Sequence, residues 1–300
     1  MSITDTAGSL VGIDWGTSSL RGALMNRAGE VLESRAFARG ILSVPAGQFP
    51  TVFKDCFGDW MQAGVLCLMS GMVGSQQGWQ QAAYCPCPAG FADLAGQLHW
   101  LEPGRMAIVP GLRIEQAGVP DVMRGEETQI FGALAMLGLQ DAKLVLPGTH
   151  SKWVQVKDGR VVAFSSWMTG EFYALLRQHS ILARSLPADD AAPDPEAFDE
   201  GVAQALRSPG LLHSAFSVRT LSLFERMTAS ALPSYLSGLV IGEEIKSQTL
   251  ATGENLVIMG SENLSALYQQ ALAQRGVTAR RVGAEANWHG LHALAQSLRN

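Results

Sequence analysis

Two short segments hold the residues with the clearest chemical potential. One runs Val11-Gly12-Ile13-Asp14-Trp15-Gly16-Thr17-Ser18-Ser19-Leu20-Arg21, the other Leu144-Val145-Leu146-Pro147-Gly148-Thr149-His150-Ser151-Lys152-Trp153. In each, an apolar run ends in Gly-Thr-x-Ser. The backbone N–H groups of a tight glycine turn can converge on one anion, and adjacent hydroxyls add donors. Two such turns facing each other across a cleft can hold a polyphosphate from both sides. Asp14, just ahead of the first turn, can hold Mg²⁺ through water, because Mg²⁺ dehydrates reluctantly; it can equally cap the turn. A third segment, Val122-Met123-Arg124-Gly125-Glu126-Glu127-Thr128-Gln129, precedes the helical stripe Ile130, Phe131, Leu134 and Leu137. Either glutamate can serve as a general base at a cleft. Either can also sit there only to oppose the helix dipole, an effect of ~0.3–1 kcal/mol.

The elements that must position these groups repeat. After each Gly-Thr turn comes a second strand, a turn (Asn26–Gly29, then Lys157–Gly159) and a third strand (Glu30–Ala36, then Arg160–Phe164). The two turns, at Gly16 and Gly148, are separated by close to half the chain. One strand-turn-strand-turn-strand unit is thus used twice and predicts two similar lobes. Val65–Met69 reads as a buried strand running into Ser70-Gly71-Met72-Val73-Gly74-Ser75-Gln76-Gln77-Gly78-Trp79. α/β proteins place ligands at such strand ends; a plain loop anchored by Trp79 is the alternative. Thr169-Gly170-Glu171 opens a helix through Phe172, Leu175 and Leu176. The Pro-rich stretch 187–195 and the break Ser208-Pro209-Gly210 are flanked by helical segments, so the second lobe carries a helical insertion. Gly238 and Gly242 allow a helix to approach another element closely. Asn255–Met259 is a strand, Gly260 its turn, Ser261 an N-cap, and Leu264, Leu267, Tyr268, Ala271 and Leu272 the apolar face of a helix ending at Gly276. Strand, glycine and helix in that order suit the floor of an adenine site, and also suit ordinary βα packing.

Composition narrows the classes. The chain is 47% hydrophobic and 16% charged, below the usual ~25% charged, which predicts a large core. Net charge is −5 without a basic cluster, against nucleic acid or an anionic membrane as partner. No apolar run approaches the ~18 residues of a membrane span. The N-terminus lacks a basic stretch before its first apolar segment, so a secretory signal is not expected. Cys56, Cys67, Cys85 and Cys87 read as reduced thiols of a cytoplasmic protein. Among 32 glycines no two are separated by a single residue, which excludes a G-x-G-x-x-G dinucleotide turn. Without a Gly-Lys pair there is no Walker A loop, and no G-x-S-x-G elbow occurs. His289 and His292 read as one face of a C-terminal helix.

These blocks, in this order, resemble the 2-dehydro-3-deoxygalactonokinase (2-oxo-3-deoxygalactonate kinase) family of the sugar kinase, heat-shock-70 and actin superfamily. The resemblance runs from about Gly12 to the end and is weakest between Ser180 and Ser234. It is carried by Ile13–Gly16, Gly71–Ser75, Met123–Gln129, Pro147–His150 with Lys152-Trp153, and Met168–Glu171. It implies an α/β fold of two ribonuclease-H-like lobes with a cleft between them. Residues 1–125 would carry the first phosphate motif and the sugar-acid loop. Residues 126–300 would carry the second phosphate motif, the adenosine motif and the helical insertion, the last helix being free to pack back on the first lobe. It also implies phosphorylation of the C6 hydroxyl of 2-dehydro-3-deoxy-D-galactonate by ATP and Mg²⁺, in galactonate breakdown.

On that resemblance Asp14, Gly16, Thr17 and Ser18 form the first phosphate motif, with Asp14 near Mg²⁺. Gly148, Thr149 and Lys152 belong to the second, and Gly260 with Ser261 to the adenosine motif. Glu127-Thr128 is similar to the Asp-Thr pair of hexokinases, which favours Glu127 as base and Glu126 next. A sugar acid needs a cation for its carboxylate: Arg124 first, Arg21 and Arg113 as alternatives. Ser75 and the Gly71–Gly74 backbone are candidates for substrate hydroxyls, with Trp79 as a wall of that pocket or part of the core. The chain departs from the superfamily in having Thr17 where a second glycine is usual and in lacking an acidic residue in the second motif. A kinase of another sugar or sugar acid, a non-catalytic ATP-binding module and a sugar-acid sensor remain as other readings, and a homodimer is left open.

Overall fold

Strand β1 (Leu10–Trp15) is buried on both faces, which is why it reads as one apolar run rather than an alternation. Its Val11, Ile13 and Trp15 enter a core with Phe49, Phe53, Phe57 and Trp60. The structure, a computed structural model, describes residues 10–189, 191–251 and 256–298. After β1 come β2 (Leu20–Met25), β3 (Val31–Phe37), α1 (Phe49–Phe57), β4 (Leu66–Ser70), β5 (Tyr84–Pro86), α2 (Phe91–Ala95), β6 (His99–Glu102), β7 (Met106–Ile108), β8 (Gly111–Gln116), β9 (Val119–Met123) and α3 (Glu126–Leu137). The larger sheet has the order β3-β2-β1-β4-β7-β6, and a small one has the order β5-β8-β9. β1 is antiparallel to β2 and parallel to β4.

The second half begins again with three strands, β10 (Ala142–Leu146), β11 (Ser151–Lys157) and β12 (Arg160–Trp167). It continues with α4 (Thr169–His179), α5 (Pro195–Arg207), α6 (Leu211–Ser214), α7 (Ser217–Leu223), α8 (Leu232–Lys246), β13 (Leu256–Met259), α9 (Glu262–Ala273), β14 (Arg280–Val282) and α10 (Glu285–Ser297). Its sheet has the order β12-β11-β10-β13-β14, with β10 parallel to β13. Both sheets therefore open 3-2-1 and take a parallel fourth strand, as the repeat predicts. The helical insertion is α5 to α7. Gly238 and Gly242 of α8 do face α5, where a Cβ on Gly238 would lie 2.1 Å from the Phe198 carbonyl oxygen. Asn255, expected to open β13, lies outside the described residues, as does Asp190 within the Pro-rich stretch.

The chain forms two units. The first takes the described residues of 1–142, 154–164 and 282–300, the second those of 143–153 and 165–281. The boundary drawn from sequence, after residue 125, separates α3 from its partners. In the structure α3 stays with the first unit because α10 returns to it. A Cβ on Gly132 of α3 would lie 1.7 Å from the Ala286 carbonyl oxygen, and one on Gly290 of α10 would lie 1.8 Å from that of Thr128. Only glycine lets the two backbones meet at that distance. On its other side α10 sets Leu291 and Trp288 over Gly12 of β1. Among the described residues no helix is long and apolar enough to cross a membrane.

Candidate active site

In the first unit the end of β4 and the start of α3 converge. Gly71 leaves β4 with φ +92° and Gly125 enters α3 with φ +103°, a backbone region that L side chains rarely adopt. A Cβ on Gly125 would lie 3.1 Å from the Gly71 Cα, and one on Gly71 would lie 3.4 Å from Asp14 Oδ1. The Gly-rich loop and the Glu-Glu turn thus meet beside Asp14. The loop's next glycine makes room for a cation: a Cβ on Gly74 would lie 2.8 Å from Arg124 Nη1.

Arg124 is buried. Its Nη2 donates to the Ala82 carbonyl oxygen at 2.8 Å, and its guanidinium stacks 4.2 Å from the Tyr84 ring centroid. Its Nε and Nη1 have no partner among the described residues, and the same holds for Ser75 Oγ, Glu127 Oε1 and Asn287 Nδ2, all buried. Buried polar groups are ordinarily hydrogen-bonded, so several unpartnered atoms in one unit, around one loop and one helix start, mark a ligand site. Glu127 is 0% exposed. Its Oε2 accepts from the Gly125 N–H at 2.6 Å. Burial, then the neighbouring Glu126, pushes its carboxyl up to about 8. Glu126, half-buried, accepts from the Arg124 N–H at 2.9 Å. Thr128 Oγ1 lies 2.9 Å from the Gly125 carbonyl oxygen and also meets the Asn287 side chain, which Ser70 Oγ approaches.

The first Gly-Thr turn is braced from outside. The carbonyls of Gly16 and Thr17 accept from Ile41 and Leu42, and Gly16 N–H donates to the Ser19 oxygen at 2.9 Å. Thr17 and Ser18 stay exposed. Asp14 lies opposite Arg21 in the β1–β2 register, and the two form an ion pair. Arg21 pairs with Asp14 through Nη2 while its buried Nε has no partner among the described residues, and the alternative Arg113 is exposed on β8. Trp79 stacks edge-on to Trp15 at 6.4 Å and packs against Phe53, as part of the core. Among the described residues no group of three or more His, Cys, Asp or Glu can hold a metal ion. Asp14, ion-paired with Arg21, is the carboxylate that would hold a Mg²⁺ ion there, through water.

The second unit contains a cavity of about 420 Å³. Gly148 and Thr149 form one part of its wall, Thr169 and Gly170 of α4 another, and Leu264, Leu267 and Tyr268 of α9 a third. α4 is seated on the turn: a Cβ on Gly170 would lie 2.5 Å from the Gly148 carbonyl oxygen, and Glu171 N–H donates to the Thr149 oxygen at 3.0 Å. An apolar slot with a Gly-Thr turn in its wall fits a nucleoside with its phosphates. Gly260 and Ser261 do not line this cavity; the helix they introduce does. Ser261 is the N-cap of α9 by position, without a side-chain hydrogen bond. Lys152 also lies off the lining, buried, with its ammonium donating to Ser166 Oγ.

Sequence reasoning missed Asn287, Tyr84 and Glu244. Asn287 sits two residues before His289 on the C-terminal helix, and nothing near it in sequence points to Thr128. Glu244 is a buried carboxylate in α8 that accepts from Trp153 Nε1 at 2.7 Å, from the Tyr268 hydroxyl at 2.7 Å and from Thr169 Oγ1. A charged residue inside an apolar helix was the available signal. The four cysteines are free, and burial raises every thiol, to about 11 for Cys87.

Two sheets of this order, with Gly-Thr turns after their first strands, define the sugar kinase, heat-shock-70 and actin fold. A Porphyromonas gingivalis structure assigned as an N-acetylglucosamine kinase shares it, with TM-score 0.51 at 13% identity over 97% of this chain and 100% of that one. Within that class the chain belongs to the family described as 2-keto-3-deoxy-galactonokinase, whose sequence profile matches residues 14–294. It is 32% identical to the Escherichia coli (strain K12) 2-dehydro-3-deoxygalactonokinase over 97% of this chain and 98% of that one. A Sinorhizobium meliloti crystal structure assigned to the same activity aligns with TM-score 0.89 and 36% identity over 96% and 99% of the two chains. The chain is a carbohydrate kinase.

Proposed function

We propose that this kinase transfers the γ-phosphoryl group of ATP to the C6 hydroxyl of 2-dehydro-3-deoxy-D-galactonate. One observation carries the acceptor side: Arg124, Ser75 and Glu127 bring unpartnered, buried polar atoms to the Gly71–Gly74 loop and the start of α3. Arg124, stacked on Tyr84, takes the substrate carboxylate. Ser75 and the Gly74 backbone take hydroxyls. Glu127 accepts the proton of the attacking hydroxyl as its oxygen bonds to phosphorus and ADP departs; Glu126 is the next candidate. The cavity of the second unit takes the nucleoside, with backbone N–H groups of Gly148–Thr149 on the phosphates; Thr17 and Ser18, exposed in the first unit, are the further candidates for phosphate oxygens. In phosphoryl transfer such groups mainly position and neutralise. Asp14 would hold Mg²⁺ through water, and the ion would supply charge neutralisation at the phosphates. The names of the relatives support the substrate, and a kinase of sugar acids would be a cytoplasmic catabolic enzyme.

The test is ADP release with ATP and Mg²⁺ against 2-dehydro-3-deoxygalactonate, its gluconate epimer, galactonate and galactose. Release driven chiefly by the first is expected, and Arg124→Ala raises its KM far more than that of ATP. Release driven by galactose, which has no carboxylate, would overturn the role of Arg124. ADP release indifferent to all four would point to a plain ATPase module.

A further inference from the structure

Glu244 is 2% exposed, and its partners are all neutral donors. A buried carboxylate is costly unless its oxygens are satisfied, and an apolar residue would fill this place in α8 more cheaply. The three donors come from three other elements: Trp153 from β11, Thr169 from the first turn of α4 and Tyr268 from α9. Trp153 Nε1 can only donate, which fixes one carboxylate oxygen. The other oxygen takes both hydroxyl hydrogens. Thr169 and Tyr268 line the cavity that Gly148 and Thr149 also wall. Gly170, the next residue after Thr169, rests on the Gly148–Thr149 turn. Displacing Thr169 therefore displaces the turn.

We propose that Glu244 is the positioning residue of the nucleotide pocket, holding Thr169, Tyr268 and, through Gly170, the Gly148–Thr149 turn in register. This rests on reading that cavity as the nucleotide pocket. Glu244 and Thr169 also line a second cavity of about 270 Å³, so alanine would enlarge that cavity as well as remove the carboxylate. Glutamine is the better probe. It keeps the shape and an acceptor for Trp153, and sets an N–H donor against the two hydroxyls.

The experiment measures ADP binding by calorimetry on the full chain without sugar acid, alongside KM for each substrate. Glu244→Gln is expected to weaken ADP about tenfold, or ~1.4 kcal/mol, with the KM of the acid within twofold. Tyr268→Phe, which keeps the ring, is expected to weaken ADP a few-fold. The double variant should bind no worse than Glu244→Gln alone, because both act through one hydrogen bond. Equal losses for ADP and acid, or unchanged ADP affinity, would overturn the proposal. If Glu244→Gln does not fold, Thr169→Val and Tyr268→Phe carry the same test. Ser237→Trp, which fills the cavity, separates the two readings. ADP binding that survives it overturns the cavity assignment and the proposal with it. ADP binding lost there but intact in Glu244→Gln overturns the proposal alone.

Discussion

Glu127 touches no solvent, so its acidity must appear in stability and, as the proposed base, in rate. Its carboxyl titrates near 8 in the folded chain against the usual 4.5. A base must be ionised to accept a proton, so turnover should rise with pH and level off above about 8. Glu127→Gln should lower kcat by ~10²–10⁴-fold with ADP affinity nearly unchanged. For stability the sign is the opposite. Between 4.5 and about 8 the unfolded chain has shed this proton while the folded chain keeps it. Native protein binds more protons there, so stability falls as pH rises through that window. Denaturant unfolding at pH 5, 6.5 and 8 should show this decline, and the glutamine variant should flatten it; an unchanged slope would mean that Glu127 is not the buried acid. Much at this scale was legible. Glu126-Glu127 at a helix start, Arg124 before it and the Gly71–Gly74 loop are short, local motifs, and the structure brings them together. The fate of Arg21 was also within reach: a hairpin whose turn spans Gly16–Ser19 sets residue 14 against residue 21, so Arg21 answers Asp14.

The helix pair α3–α10 shows what local reading cannot reach. Gly132 and Gly290 lie in opposite halves of the chain, and neither glycine differs in sequence from one that ends a helix. Only the tertiary contact requires them. Gly132→Ala must push a methyl into the Ala286 carbonyl, and such overpacking typically costs ~1–3 kcal/mol. Because Thr128 and Glu127 stand about one turn away, the same variant should lower kcat while leaving ADP binding in place. Thermal unfolding and calorimetry on one preparation would check both; a variant as stable and active as its parent would mean that the helices can part freely. The cavity of the second unit was hidden for the same reason. Its walls come from the Gly148 turn, α4, α8 and α9; sequence reading named the α9 face, Leu264, Leu267 and Tyr268, but nothing local set it against the α4 and α8 residues that close the space. The strands were legible because their apolar runs and turns are local.

At the scale of the whole molecule, the two units carry different tasks in the proposed reaction, and each ligand should mark its own. Hydrogen exchange with ADP should slow amides within 143–153 and 165–281, and exchange with the sugar acid alone should slow those around Gly71–Ser75 and Gly125–Thr128. ADP-dependent protection confined to the first unit would reverse the assignment. The path of the chain between the units has a consequence of its own. The first unit begins with β1, yet the helix that covers Gly12 and locks α3 is α10, which follows every element of the second unit. On a ribosome the first unit therefore waits, without the helix that packs over Gly12 and against α3, until the second has been synthesised. A chain ending before residue 285 would lack α10 and leave Gly12 of β1 and Gly132 of α3 without the backbone and side chains that pack on them.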